Sequence, residues 1–168
     1  LNPRGKKGFN PRQRAGGSKP VPPGFIITTE IFRCWSVVNK FDKARDDFMR
    51  QVRQSLSELE ILSGKQYGYP KNQLLLSVSS GASISMPGMM ATIHNVGLNQ
   101  DIVEKFARET GKEYLAWDNY RRFLQSWGMT DGMKREQFQV LMNEAKARHK
   151  VKVKKDFTPG QMKKLALE

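Results

Sequence analysis

Ser77-Val78-Ser79-Ser80-Gly81-Ala82-Ser83-Ile84-Ser85-Met86-Pro87-Gly88-Met89-Met90-Ala91-Thr92-Ile93-His94-Asn95-Val96-Gly97 is the stretch on which the reading of this chain turns. It opens as the end of a strand, Leu74 to Ser79, whose run of leucines predicts a well-buried position. It then enters a loop of Ser, Gly and Ala, residues small enough to let backbone amides approach an anion. From composition alone the same residues are a tight turn followed by a buried, Met-rich segment. His94 reads as a packed core residue at a loop-to-helix junction.

Upstream, Pro20 to Gly24 form a stiff turn, and Phe25 to Thr29 predict a short first strand. Ile31 to Trp35 is apolar and holds the sole cysteine, Cys34, which reads as a buried, inert thiol; an internal disulfide is excluded. Phe41, Phe48, Val52, Leu56, Leu59 and Leu62 recur at helical spacing, so a helix spans Lys40 to Ser63 and stops at Gly64. Downstream, Asn99 caps a helix that ends at Gly111. A second helix covers Glu113 to Trp127, packing Leu115, Tyr120, Phe123 and Trp127, and a third covers Lys134 to His149, with Phe138, Leu141 and Met142 inward. Thr158-Pro159 opens a short last helix. The order of strand, helix, strand and then mainly helices predicts an α+β fold in which helices dominate.

The net charge of +13 is unevenly placed. Residues 1–20 carry Arg4, Lys6, Lys7, Arg12, Arg14 and Lys19 and no acid; residues 134–168 carry ten basic and four acidic side chains. The middle is almost neutral, so the basic ends call for a polyanionic partner. No apolar run reaches membrane-helix length. No Cys-His metal spacing, Ser-His-Asp set or Walker loop is present. The chain begins at Leu1, and its Arg-rich, acid-free start fits a mitochondrial protein.

Ser85-Met86-Pro87-Gly88-Met89-Met90, followed by Thr92-Ile93 and Asn95 to Asn99, resembles the signature of the pyruvate phosphate dikinase family. Three flanking stretches resemble that family in the same order: Val21 to Phe25 with Thr28-Thr29-Glu30, Gly64 to Gly68, and Asp118-Asn119-Tyr120-Arg121-Arg122-Phe123 with Gln125. The resemblance covers about residues 20–165. It implies the helix-rich first part of an ATP-grasp-like nucleotide-binding domain. Together with the charge distribution it predicts a partition into a basic extended arm (1–19), a dikinase-like domain (20–145), and a basic segment with a short C-terminal helix (146–168).

Where the resemblance implies a phosphate-contacting arginine, this chain has Ser79; where it implies the next arginine, it has Ile84; and where it implies an aspartate after Met-Met, it has Ala91. A hydroxyl does not replace a bidentate guanidinium. The resemblance further implies that the family's magnesium-binding acids and its phosphohistidine and pyruvate-binding domains lie outside these residues. The expectation is a non-catalytic pseudoenzyme with no cofactor, no metal and no small-molecule substrate. Its role would be structural: an RNA-binding protein of a divergent mitochondrial ribosome, contacting ribosomal RNA and neighbouring proteins. Its RNA-binding residues would be Arg4, Lys6, Lys7, Arg12, Arg14, Lys19, Lys146, Arg148, Lys150, Lys152, Lys154 and Lys155, with Phe9 and Phe157 as candidate stacking residues. The alternative is a fragment or regulatory paralogue of the dikinase that retains nucleotide binding.

Overall fold

The structure is a computed structural model and describes residues 22–80 and 92–168. The chain divides into two compact units, 1–65 and 66–168.

In the first unit, residues 22–28 run without regular structure and α1 spans Thr29–Val38. The expected strand at Phe25–Thr29 is therefore absent: strand propensity is realised only when a neighbouring strand takes up the backbone bonds. Thr28 is extended and occupies the N-cap, with Glu30 in the first helical turn, where an acid is favourable. α2 spans Asp42–Ser63 and ends at Gly64 in the left-handed conformation, as its sequence predicts. Trp35 meets Phe48 edge-on, with ring centroids 5.6 Å apart. Cys34 is exposed, not buried, because α1 buries none of its residues among the described part of the chain.

The second unit begins with two short strands, β1 (Gln66–Tyr67) and β2 (Gln73–Leu74), paired in parallel. β3 (Leu76–Ser79) and β4 (Thr92–Val96) form an antiparallel pair, with a bulge between Leu76 and Val78. Leu74 and Ile93 are buried, but β3 itself is largely exposed, which corrects the expectation of a well-buried strand there. Gly97 follows with φ +102°, and a Cβ there would sit 2.6 Å from the Tyr67 ring, so both backbone and space require glycine.

Four helices complete the unit: α3 (Gln100–Thr110), α4 (Glu113–Thr130), α5 (Arg135–His149) and α6 (Pro159–Leu167), with a 3₁₀ turn at Lys154–Asp156. The caps follow the sequence closely. Asn99 Oδ1 accepts from the Ile102 amide at 2.9 Å, while its Nδ2 donates to the Gly68 carbonyl at 3.0 Å. Thr158 and Gln161 form a reciprocal capping box at the start of α6.

The core joins α3, α4, α5 and α6 through Val103, Ala107, Ala116, Trp117, Ala145, Phe157, Met162, Leu165 and Ala166. Met162 has no solvent exposure, and Lys163 Nζ lies 4.7 Å from the centre of the Trp117 ring. The inward face of α4 thus carries Ala116 and Trp117. Leu115 and Trp127, expected inside, are 45% and 53% exposed. The described helices include none long and apolar enough to cross a membrane. The architecture is helix-rich with small sheets, compatible with α+β.

Candidate functional site

Along one side of the second unit, β4, α4 and the start of α5 enclose a cleft of about 600 Å³. β4 contributes His94 and Asn95, the latter in the left-handed region at φ 62°, which asparagine tolerates. His94 is exposed in a strand, so it is not the core histidine its neighbours suggested; its Nδ1 lies 3.0 Å from Ser77 Oγ. α4 contributes Asn119, Arg122, Phe123, Gln125, Ser126 and Met129, and α5 contributes Arg135. Two guanidiniums, an imidazole, three carboxamides and a hydroxyl line the cleft, and the lining holds no carboxylate. Such a wall is complementary to an anion.

Behind the cleft lies Asp118, 4% exposed, with three cations on its two oxygens. Oδ1 accepts from Arg121 Nε (3.1 Å) and Nη2 (3.0 Å). Oδ2 accepts from Arg122 Nε (3.1 Å) and from Lys154 Nζ (2.8 Å). Burial alone pushes the Asp118 carboxyl up, but the hydrogen bonds from Lys154 and Arg121 outweigh it and hold the group below its usual range. Tyr114 Oη donates to the Lys154 carbonyl at 2.9 Å, so both the backbone and the side chain of Lys154 are fixed against α4. Burial raises the Tyr114 hydroxyl pKa, and the nearby Asp118 charge adds to the shift.

Ser79, singled out by its sequence context, ends β3, and its Oγ lies 3.0 Å from Thr92 Oγ1; it is not among the cleft-lining residues. Ile84 and Ala91 lie outside the described residues, as do the Ser85–Met90 signature and Arg4, Lys6, Lys7, Arg12, Arg14 and Lys19. The basic residues near the C-terminus serve other ends than a free row of charges. Lys154 and Arg148 pair with Asp118 and Glu168. Lys146, Arg148 and His149 occupy the last turn of α5, where cations face the carbonyl end of the helix. Lys150 caps that helix in the left-handed conformation and Lys154 starts the 3₁₀ turn, so residues 150–154 form no extended lysine track. Lys152 and Lys155 are exposed. Phe157, proposed above for base stacking, is buried in the core beside His149. Among the described residues no three His, Cys, Asp or Glu side chains gather as a metal-ligand set.

The fold and cleft together define a helix-rich module with small sheets and an anion-complementary cavity. No protein-family profile matches the chain. Individual relatives do. The chain is 37% identical over 163 residues to the pyruvate, phosphate dikinase of Clostridium symbiosum, a match covering 96% of this chain and 18% of that protein. The pyruvate, phosphate dikinase of Rhizobium meliloti is 39% identical over 145 residues, covering 86% of this chain and 16% of the relative. Pyruvate, phosphate dikinase 1, chloroplastic, of Arabidopsis thaliana is 36% identical over 162 residues, covering 96% and 16%. This chain is related to the pyruvate, phosphate dikinases, as its motifs imply, and spans about a sixth of the length of the curated relatives it matches.

These relatives overturn the ribosomal reading. All three are named as enzymes acting on small molecules, and none as a ribosomal or RNA-binding protein. The expectations of a mitochondrial-ribosome component, of RNA and ribosomal proteins as partners, of no small-molecule substrate and of a non-enzyme are corrected accordingly.

Proposed function

We propose that this chain serves a pyruvate, phosphate dikinase reaction as a nucleotide-binding segment with an ATP-grasp-like fold, holding ATP phosphates in the cleft between β4, α4 and α5. The observation that carries this reading is the composition of the cleft wall: Arg122 and Arg135 face the cavity together with amide donors, and no acid opposes them. A triphosphate is the anion that the resemblance to a nucleotide-binding domain implies, and paired guanidiniums suit its oxygens. Phe123 and Met129 add an apolar flank.

Ser79 bears on strength rather than on kind. It stands where the family resemblance implies an arginine; the serine itself does not line the cleft, but its neighbour along β3, Ser77, bonds cleft-lining His94, so a longer guanidinium at position 79 would add a cation at that edge of the cavity. Isothermal titration of the full chain with ATP tests the reading. Arg122→Ala is expected to weaken ATP on the order of tenfold, the scale of one lost charge-assisted bond. Ser79→Arg is expected to strengthen it. A wild-type chain without measurable ATP binding, unchanged by Ser79→Arg, would falsify the proposal.

A further inference from the structure

We infer that Asp118 is a positioning residue for this cleft: one buried carboxylate, touching no ligand itself, aims both Arg122 and Gln125 into the cavity. The inference rests on the nucleotide-binding reading for its ligand, but its geometry stands independently. Arg122 gives one edge of its guanidinium to Asp118 Oδ2, through Nε at 3.1 Å and Nη2 at 3.0 Å. That leaves Nη1, on a side chain that lines the cleft, without a bond among the described residues.

The second arm runs through Arg121. Its Nε and Nη2 are held by Asp118 Oδ1, and its Nη1 donates to Gln125 Oε1 at 2.9 Å. A guanidinium can only donate. The Gln125 carboxamide is therefore fixed with its oxygen toward Arg121, and its NH₂ is the group left for the cavity. Asp118 thereby sets the donor character of two cleft residues from behind. The bond from Lys154 to the same Oδ2, 2.8 Å long, uses the same carboxylate to attach the C-terminal segment, but Lys154 does not line the cleft.

The test separates aim from attachment. In the full chain, side-chain NMR of Arg122 Nε–H and Gln125 NH₂ is compared between wild type, Asp118→Asn and Arg121→Met, without ligand. Asp118→Asn is expected to erase the protected Arg122 Nε–H signal, and Arg121→Met to shift the two Gln125 NH₂ signals to the positions of a free glutamine carboxamide. ATP titration then expects a loss on the order of tenfold for Asp118→Asn and for Gln125→Glu, which turns a donor into an acceptor at an unchanged backbone. Lys154→Met is expected to stay within about threefold, because it leaves both donors aimed.

Unchanged side-chain signals in both variants would sink the inference even if ATP binds. So would a Lys154→Met loss equal to that of Asp118→Asn, which would make Asp118 an attachment point only. If Asp118→Asn does not fold, Arg121→Met and Gln125→Glu decide alone. Wild type failing to bind ATP while the signals change as expected would overturn the nucleotide reading and leave the positioning role standing.

Discussion

Asp118 couples the cleft to the acid range of pH. Its carboxyl is held below its ordinary value by Lys154 and Arg121 despite burial. A depressed folded-state pKa means that the carboxylate stabilises the fold above the unfolded value and loses that contribution as pH falls through the folded one. The affected window therefore lies below about pH 4. Asp118→Asn is expected to cost about 3 kcal/mol at pH 7, since it leaves three cations around a neutral group. Its stability should then vary less than that of wild type between about pH 4 and pH 2. Urea unfolding at both pH values checks this; parallel pH profiles for the two proteins would place the acid sensitivity elsewhere.

Among the elements, α6 shows how a short helix becomes structural. It has nine residues, too few to be stable alone. Its capping box and its buried face supply the rest. Thr158→Ala is expected to cost about 1 kcal/mol, the usual worth of an N-cap hydroxyl. Met162→Ala is expected to cost about 2–5 kcal/mol, because the side chain is fully enclosed. Thermal melts that place Thr158→Ala below Met162→Ala in stability would reverse this ranking and move the importance from core to cap.

The caps of α3 and α6 and the glycine stops of α2 and α3 were legible because they depend on residues a few positions apart. α1 was not, although Thr28, Glu30 and the spacing of Ile31, Trp35 and Val38 hold the signal. Two isoleucines before it read as a strand when no partner strand could be seen. The inward face of α4 was partly misread for a related reason. Periodicity finds an apolar stripe, but which side of it meets α6 is decided by tertiary packing.

Over the whole molecule, charge was the feature most open to misreading. A sequence displays the cations of residues 146–155 in a row, without the acids that meet them in space. Lys154 finds Asp118 across 36 positions and Arg148 finds Glu168 across 20. The cleft escaped the sequence for the same reason: Arg122 and Gln125 stood in a motif that identified kinship, yet nothing local showed that His94 and Arg135 would join them.

Cys34 carries a separate consequence. It is the sole cysteine, and it is exposed on α1. Such a thiol has no mate within these 168 residues, so aerobic oxidation of this chain to a disulfide joins two copies. Kept without reductant, the chain is expected to develop a band at twice its 19.2 kDa on a non-reducing gel. Dithiothreitol should remove the band and Cys34→Ser should prevent it; a wild-type chain that stays monomeric in air would show the sulfur to be shielded. Dimers found in unreduced samples therefore report storage chemistry before they report an interface.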